Sequence, residues 1–401
     1  MSALLEQLAP EAALAEDRYA DIRRRAHQRL MQHGFPDLKT EAWKYTSLRL
    51  LEKRELGSGQ GESAGAPEAL PFAADVIHFD GGVLRNPPAE LPTGVRLEPL
   101  DPAELVNVDY GDRAGAMAWL NLARFEQAWR LVIESTLERP LVLALTMPAG
   151  FATAVHPRLR IDVATGAEAV LIEQQHDEGA GLVNIVEDIE LQRGARLRHV
   201  IHRRNAESIW VQRTRVSVSA DADYRCHALE LAGRLVRQDL AVHLLEQGAN
   251  GEIDGVAFID SGQHVDWHTA IDHEVGHTTS REAFRIMADG SGVGVFNGRI
   301  HIQRGADDSH SDLNTANLLL SDKARINIKP ELEIYAEEVT ASHGATIGQL
   351  EDSALFYLRT RGLPTEDAMA LLKFGFAAAP LETAEPEVVR NWLIEELQAV
   401  L

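Results

Sequence analysis

Between about residue 140 and residue 348, apolar residues recur at every second position in short runs, and each run ends in a small turn. Alternation of this kind puts successive side chains on opposite faces of a β-strand. One template returns: two alternating apolar residues, a turn and an alanine. It reads IDVATGA from Ile161, IELQRGA from Ile189, VSVSADA from Val216, VHLLEQGA from Val242 and IHIQRGA from Ile300. The first four starts are 28, 27 and 26 residues apart, and the last gap, 58, is two periods. IDHEVGH at Ile271 fits the missing copy in register, though less well in composition. A period near 28 predicts a solenoid whose coils each add strands to stacked parallel sheets, since paired-helix repeats would show a 3.6-residue period. One coil cannot bury its own inner face. About six coils, stacked ~4.8 Å apart, make a column roughly 25 to 30 Å tall whose open ends need caps or partners. The expected fold class is mainly β, a right-handed parallel β-helix core with helical N-terminal and C-terminal regions.

The flanks follow helical spacing. Residues 11 to 33 place Leu14, Ile22, Ala26 and Leu30 on one face, with Arg23, Arg24 and Arg25 largely on others. LKTEAWKYTSL follows, with Trp43 and Tyr45 as packing aromatics, and GSGQGESAGAPEALP from Gly57 to Pro71 reads as a flexible linker. A helix is predicted over 113 to 135, with Trp119, Leu122, Phe125, Trp129 and Val132 near one face. Three more are predicted over Asp352 to Arg361, Glu366 to Ala377 and Glu387 to Val400, broken by Gly362, Pro364, Pro380 and Pro386. Phe356, Leu371, Phe374, Phe376, Trp392 and Leu397 are a large apolar set for so small a domain; most of it is expected to be internal core, and the excess suggests a docking surface. The expected organisation is a helical region (1–56), a linker (57–71), a small mixed region (72–139), the β-helix core (140–348) and a C-terminal helical domain (349–401).

Composition narrows the function. Of 401 residues, 39 are Lys or Arg and 61 are Asp or Glu, a formal charge of -22 that repels nucleic acid and anionic membranes. Cys226 is the single cysteine, so there is no internal disulfide, CxxC pair or cysteine cage. Chemistry that needs several thiolates must borrow them from another chain. No window approaches the ~18 apolar residues of a membrane span, and MSALLEQLAPEAALAEDRY carries acids where a secretion signal carries bases. A cytoplasmic location is expected.

His273 to His277, HEVGH, satisfies the HExxH pattern of zinc metalloproteases. The residues before it alternate as a strand, and on a strand positions i and i+4 lie ~13 Å apart, too far to share one ion. Gly290, Gly292, Gly294 and Gly298 match no nucleotide loop and read as turns, with Asn297 and Gly298 favouring positive φ. His264 and His268 around Asp266, and His301 and His310 near Asp307 and Asp308, read as incidental surface histidines. A β-helix polysaccharide lyase would need acidic ligands and a base gathered on one groove, and no such set is evident.

The most informative stretch is residues 329 to 363, where strand periodicity (Ile326, Ile328, Leu332, Ile334) gives way to helical spacing (Leu355, Leu358, Ala368, Leu371, Leu372). His343 sits there between Ser342 and Gly344, either as a reachable imidazole or as part of a turn ending the last strand. PELEIYAEEVTASHGATIG followed by LFYLRTRGL closely resembles the SufB/SufD family of iron–sulfur cluster scaffold proteins, its SufD branch in particular. EAWKYT and the segment from VDWHTAIDHE to GVFNGRIHI fit the same resemblance. It implies a parallel β-helix and a non-enzymatic scaffold that builds and transfers iron–sulfur clusters with SufB and the ATPase SufC. It implies a cluster-assembly and metal-ligand role for His343 where the end of the β-helix meets SufB, and a SufC-docking role for the element containing Phe356, Tyr357, Arg361 and Gly362. It further implies no cofactor held stably by this chain alone, iron or a cluster held transiently at the SufB interface, and a homodimer for the chain in isolation. The family pattern usually has a cysteine two residues before this histidine. Ala341 stands there, so that thiol is not required.

Overall fold

The computed structural model describes residues 3–10, 15–54, 56–57, 65–85, 87–88, 90–148, 150–177, 179–205, 207–231 and 233–401. Helices α1 (Ala3–Leu8), α2 (Ala20–His33) and α3 (Arg49–Glu52) precede strands β1 (Asp75–Asp80) and β2 (Val95–Pro99). After α4 (Ala116–Arg124) come β3 (Ala128–Ile133), β4 (Leu141–Met147), β5 (Ala154–Val155) and β6 (Arg158–Val163). The regular coils follow: β7 (Glu168–Asp177), β8 (Leu182–Leu191), β9 (Arg196–Asn205), β10 (Ile209–Val218), β11 (Asp223–Leu231), β12 (Leu235–Leu244) and β13 (Asn250–Ile259). They continue through β14 (His264–His273), β15 (Thr279–Ala288), β16 (Val293–Ile302), β17 (Ser309–Leu319), β18 (Arg325–Ile334) and β19 (Val339–Gly348). Helices α5 (Asp352–Thr360), α6 (Thr365–Ala377) and α7 (Glu387–Gln398) close the chain.

From β7 onward, successive strands alternate between two sheets. Odd-numbered strands run β7-β9-β11-β13-β15-β17-β19 in one sheet, and even-numbered strands run β8-β10-β12-β14-β16-β18 in the other. These neighbours pair in parallel, giving a solenoid of about seven turns. β1 and β4 extend the first sheet and β3 and β6 the second, so the sheets reach back to residue 75.

The repeat along the chain is the register across it. Leu131, Ile161, Ile189, Val216, Val242, Ile271 and Ile300 are direct partners in successive coils, all buried, and Leu332 ends the column. Ile271, the copy weakest in composition, stands in line with the rest. The template's alanines, Ala167, Ala195, Ala222, Ala249 and Ala306, are buried just after corner residues with left-handed backbone, four of them glycine and one Asp221. His277 and Thr278 take these two places in the aberrant coil.

Helices cover both outer faces. Leu30, Trp43, Leu120 and Phe125 pack with Leu182, Ile209, Val211 and Leu235 of the even sheet. Leu381, Val389, Trp392, Leu393 and Leu397 cover Val142, Ile172, Val200, Leu229 and Met287 of the odd sheet. Trp392 and Leu397 are therefore core, while Phe356 and Leu371 stay exposed. Among the described residues, no helix is long and apolar enough to cross a membrane.

Two local expectations change. The helix expected over 113 to 135 ends at Arg124, where Phe125 turns to extended backbone, and Trp129 and Val132 lie on β3, which sets Leu131 and Ile133 inward against β6. Asn297 and Gly298 are not a turn but the middle of β16, where a Cβ on Gly298 would lie 2.6 Å from Leu313. Leu14, and residues 58–64 of the expected linker, lie outside the described residues.

Because each inner side chain touches only its own and adjacent coils, a hole in one coil cannot be filled from elsewhere. Ile271→Ala is expected to destabilise the protein by about 2–5 kcal/mol in urea unfolding. A loss below about 1 kcal/mol would contradict a continuous packed column at this coil.

Candidate functional site at the open end of the solenoid

The coils stop at β18 and β19, each the last strand of its sheet. Register and alternation set Ile326, Ile328, Pro330 and Leu332 of β18 inward, and likewise Val339, Ala341, His343, Ala345 and Ile347 of β19, which stack on Ser309, Ser311, Leu313, Thr315 and Asn317. With no coil above them, these residues are half-buried or exposed, although their partners below are fully buried. His343 is the titratable side chain among these inward positions. Ser342 to Gly344 are not a turn: they lie mid-strand, and the outward Ser342 hydroxyl donates to Asp312.

A hydrogen-bonded polar patch lies below. Ser311 Oγ is 2.7 Å from Ser280 Oγ, which is 2.9 Å from His273 Nε2; His273 Nδ1 is 2.7 Å from Thr278 Oγ1, itself 3.0 Å from Ser309 Oγ. Both nitrogens of His273 are thereby engaged in the interior, and burial pushes its pKa down to about 4. His277, the other histidine of HEVGH, is an exposed corner residue 3.7 Å from Asp308. The motif does not run along a strand as expected: β14 ends at His273 and His277 lies on the corner that follows, so the two rings face different environments. On β15, one inward position past Ser280, Glu282 is fully buried with no hydrogen bond to either carboxylate oxygen, and burial pushes its pKa up to about 8.

Deeper in the lumen is a network the sequence reading missed. His199 Nε2 lies 2.6 Å from Glu173 Oε1, and its Nδ1 2.9 Å from the Tyr224 hydroxyl. Arg203 donates to Gln175, Glu230, Gln212 and Gln238. Burial opposes both charges of the Glu173–His199 pair, but His199 holds Glu173 ionised and Cys226 together with Glu173 favours the charged form of His199, while burial and the Glu173 charge keep Glu187 protonated. The available signal was charged and amide residues recurring at inward positions of the alternation.

The incidental-surface reading of His264 and His268 is corrected. Asp266 between them is buried beneath the N-terminal segment: Thr46 Oγ1 donates to its carboxylate and lies 2.9 Å from His264 Nε2. Arg237 donates to Asp266 at 2.6 Å and to the Ala42 carbonyl at 2.7 Å, with its guanidinium 4.5 Å from the centre of the Trp43 ring. Burial would raise the Asp266 pKa, but Arg237, His268 and Thr46 hold it well below the usual range. EAWKYT is thus a strap locked onto the even sheet, with Tyr45 exposed. His301 pairs with Asp272 at 3.0 Å, while Asp307 accepts from the backbone of Glu337, so the second group is not gathered around one point. Among the described residues, no three His, Cys, Asp or Glu side chains are placed to hold a metal ion.

At the C-terminal end, α5 buries none of its residues. Phe356 is 69% and Tyr357 56% exposed, Leu371 of the adjoining α6 is 49% exposed, and Arg361 lies 5.2 Å from the Tyr357 ring with its Nη2 3.2 Å from the hydroxyl. Gly362, at φ 92, ends the turn after α5.

Residues 146–376, from the end of β4 to α6, match the family model of the SufBD core domain of the SUF system for FeS cluster assembly. The match spans more than half of the chain, and the chain belongs to this family. It is a SufD homologue: over 397 residues it is 28% identical to the iron–sulfur cluster assembly protein SufD of Escherichia coli K12, covering 92% of this chain and 90% of that one. It is also 31% identical over 258 residues to a SufBD family protein of Synechocystis, covering 61% and 57% of the two chains. A SufBD family protein of Mycobacterium bovis is 26% identical over 365 residues, covering 88% and 86%.

The buried groups below the open end set a pH dependence. Glu282 keeps its proton in the fold to about pH 8 but unfolded only to 4.5, so stability falls as pH rises through that window. His273 acts oppositely: unfolded it takes a proton at 6.5 and folded only near 4, so stability falls as pH drops through that range. Glu282→Leu is expected to flatten the alkaline decline, by up to about 1.4 kcal/mol per pH unit. Urea midpoints of wild type and variant compared between pH 6.5 and 8 check this; equal slopes would refute it.

Proposed function

We propose that this chain is a non-enzymatic scaffold subunit of a cytoplasmic Suf-type complex, joined end to end with SufB through the last coil of its solenoid and docked to the ATPase SufC through α5 and α6. The observation that carries this reading is the uncovered final coil, with its unpaired strand edges, half-exposed apolar residues and inward-facing His343. A second β-helix meeting that end would continue both sheets and bury the exposed residues. Iron and the nascent cluster are the cargo. One imidazole cannot hold a cluster, and Cys226 is buried deep in the lumen, so the thiolates come from SufB and His343 completes the site as ligand or proton carrier. With Ala341 beside it, His343 shares this task with no thiol of its own strand.

In the complex co-purified with its native partners, His343→Ala is expected to leave assembly intact while lowering cluster yield at least about tenfold, read from absorbance and acid-labile sulfide. Wild-type yield would sink the role given to His343, and loss of assembly would make it a structural residue. Recovery of neither a SufB-like chain nor an ATPase would argue for a stand-alone enzyme.

Docking is tested by point substitution, because removing residues 350–401 would also strip α7 from the odd sheet and expose its apolar face. Phe356→Ala with Tyr357→Ala is expected to weaken SufC binding by about 2 kcal/mol or more by calorimetry, with unfolding unchanged. Unchanged affinity would put the SufC surface elsewhere.

A further inference from the structure

His343 ends an inward column whose members are direct partners from coil to coil: His199, Cys226, Ile253, Glu282, Leu313 and His343. In the last coils of that column the one acidic member is Glu282, two strands below His343. Packing does not call for a carboxyl there. Its partners on both sides, Ile253 and Leu313, are apolar, and the next inward residue of its own strand is Phe284. A leucine or methionine would fill the space without an unsatisfied polar group. Thr269, across the lumen, is close enough to favour the charged form slightly, yet its Oγ1 also lies outside hydrogen-bond geometry with any partner. A fold that keeps a buried, unpaired carboxyl is carrying a cost that packing does not explain.

We infer that Glu282 is a positioning residue for His343, setting from inside the solenoid the charge that the histidine and its cargo experience; this rests on the cargo role proposed for His343. Two strand spacings put the two backbones roughly 10 Å apart. Between and around them lie Leu313, Phe284, Phe296, Ile328 and Leu332, so the path between the two groups is apolar; His343 itself is exposed to solvent in the isolated chain, and a partner covering the open end removes that screening. Protonated, Glu282 adds no charge to the lumen below His343. A cation arriving at His343 favours ionisation of Glu282, and the carboxylate then offsets part of the added positive charge.

The other groups around the pair do not duplicate this. From β13, Asp254 faces outward and is paired with Arg281 at 2.6 Å. From β14, His273 reaches Glu282's own strand through Ser280 and is kept neutral by burial. On β17, Asp312 faces outward and takes the Ser342 hydroxyl. On β18, Lys329 and Glu331 face outward and pair with each other at 2.5 Å, leaving Ile328, Pro330 and Leu332 to face His343 across the lumen.

Two measurements test this. In the full-length isolated chain, the His343 ring signal, assigned by its loss in His343→Asn, is followed by NMR from pH 5 to 9. Wild type is expected to show a second inflection near pH 8 that is absent in Glu282→Gln and in Glu282→Leu. In the assembled complex, both variants are expected to bind ferrous iron about threefold or more weakly than wild type at pH 8, with a smaller deficit at pH 6.5. One identical His343 titration in all three proteins, or a deficit of equal size at both pH values, overturns the inference, the latter marking a packing defect. If His343→Ala itself retains wild-type cluster yield, the cargo role fails first; if it loses yield while the Glu282 variants match wild type, the inference alone fails.

Discussion

Every part of this molecule depends on parallel pairing that holds each coil in register with the one before it. An inner face made of alternating residues is covered only when the next coil lays its own alternating residues on top. A slip of one residue would turn Ile271 and Ile300 outward and their polar neighbours inward, so the columns and the strand pairing specify each other. The same rule generates the candidate site. Where the stack stops, its last inward residues have no cover, and an inward histidine becomes a reachable one without any change in its backbone.

The lumen is not uniformly apolar, and its polar members are matched to one another. Arg203 meets Glu230 at 2.6 Å and three amide side chains from neighbouring strands. Buried ion pairs add little net stability after desolvation, but breaking one partner away from the other is costly. A misregistered coil would leave Arg203 against apolar positions. The network therefore penalises wrong stackings more than it strengthens the right one.

The solenoid was legible because its signal is local and repeated. The six template starts, Ile161 to Ile300, are the six successive rungs of one column, and the C-terminal helices fall within two residues of their expected ends. The misses have physical causes. Trp129 and Val132 fit helical spacing as well as a six-residue strand, and pairing with β6 decides between them. Asn297 and Gly298 favour turns locally, but between β14 and β18 a residue without a side chain is needed under Leu313 and Phe296. The polar lumen escaped because only the apolar half of the alternation was followed. His343 was found through family resemblance, and its inward direction came only from pairing with Leu313.

The strap gives the chain a folding order. Coils need only their neighbours and can form as the chain emerges, but Thr46 is 220 residues from Asp266 and Glu41 is 288 residues from its partner Lys329. Closing loops of that size is slow compared with stacking adjacent coils. During synthesis the Trp43 face must therefore wait, uncovered, until most of the solenoid has been made. Its docking is a late event that reports a finished even sheet out to β18, and a chain arrested earlier would still display that aromatic segment to whatever surveys incomplete proteins.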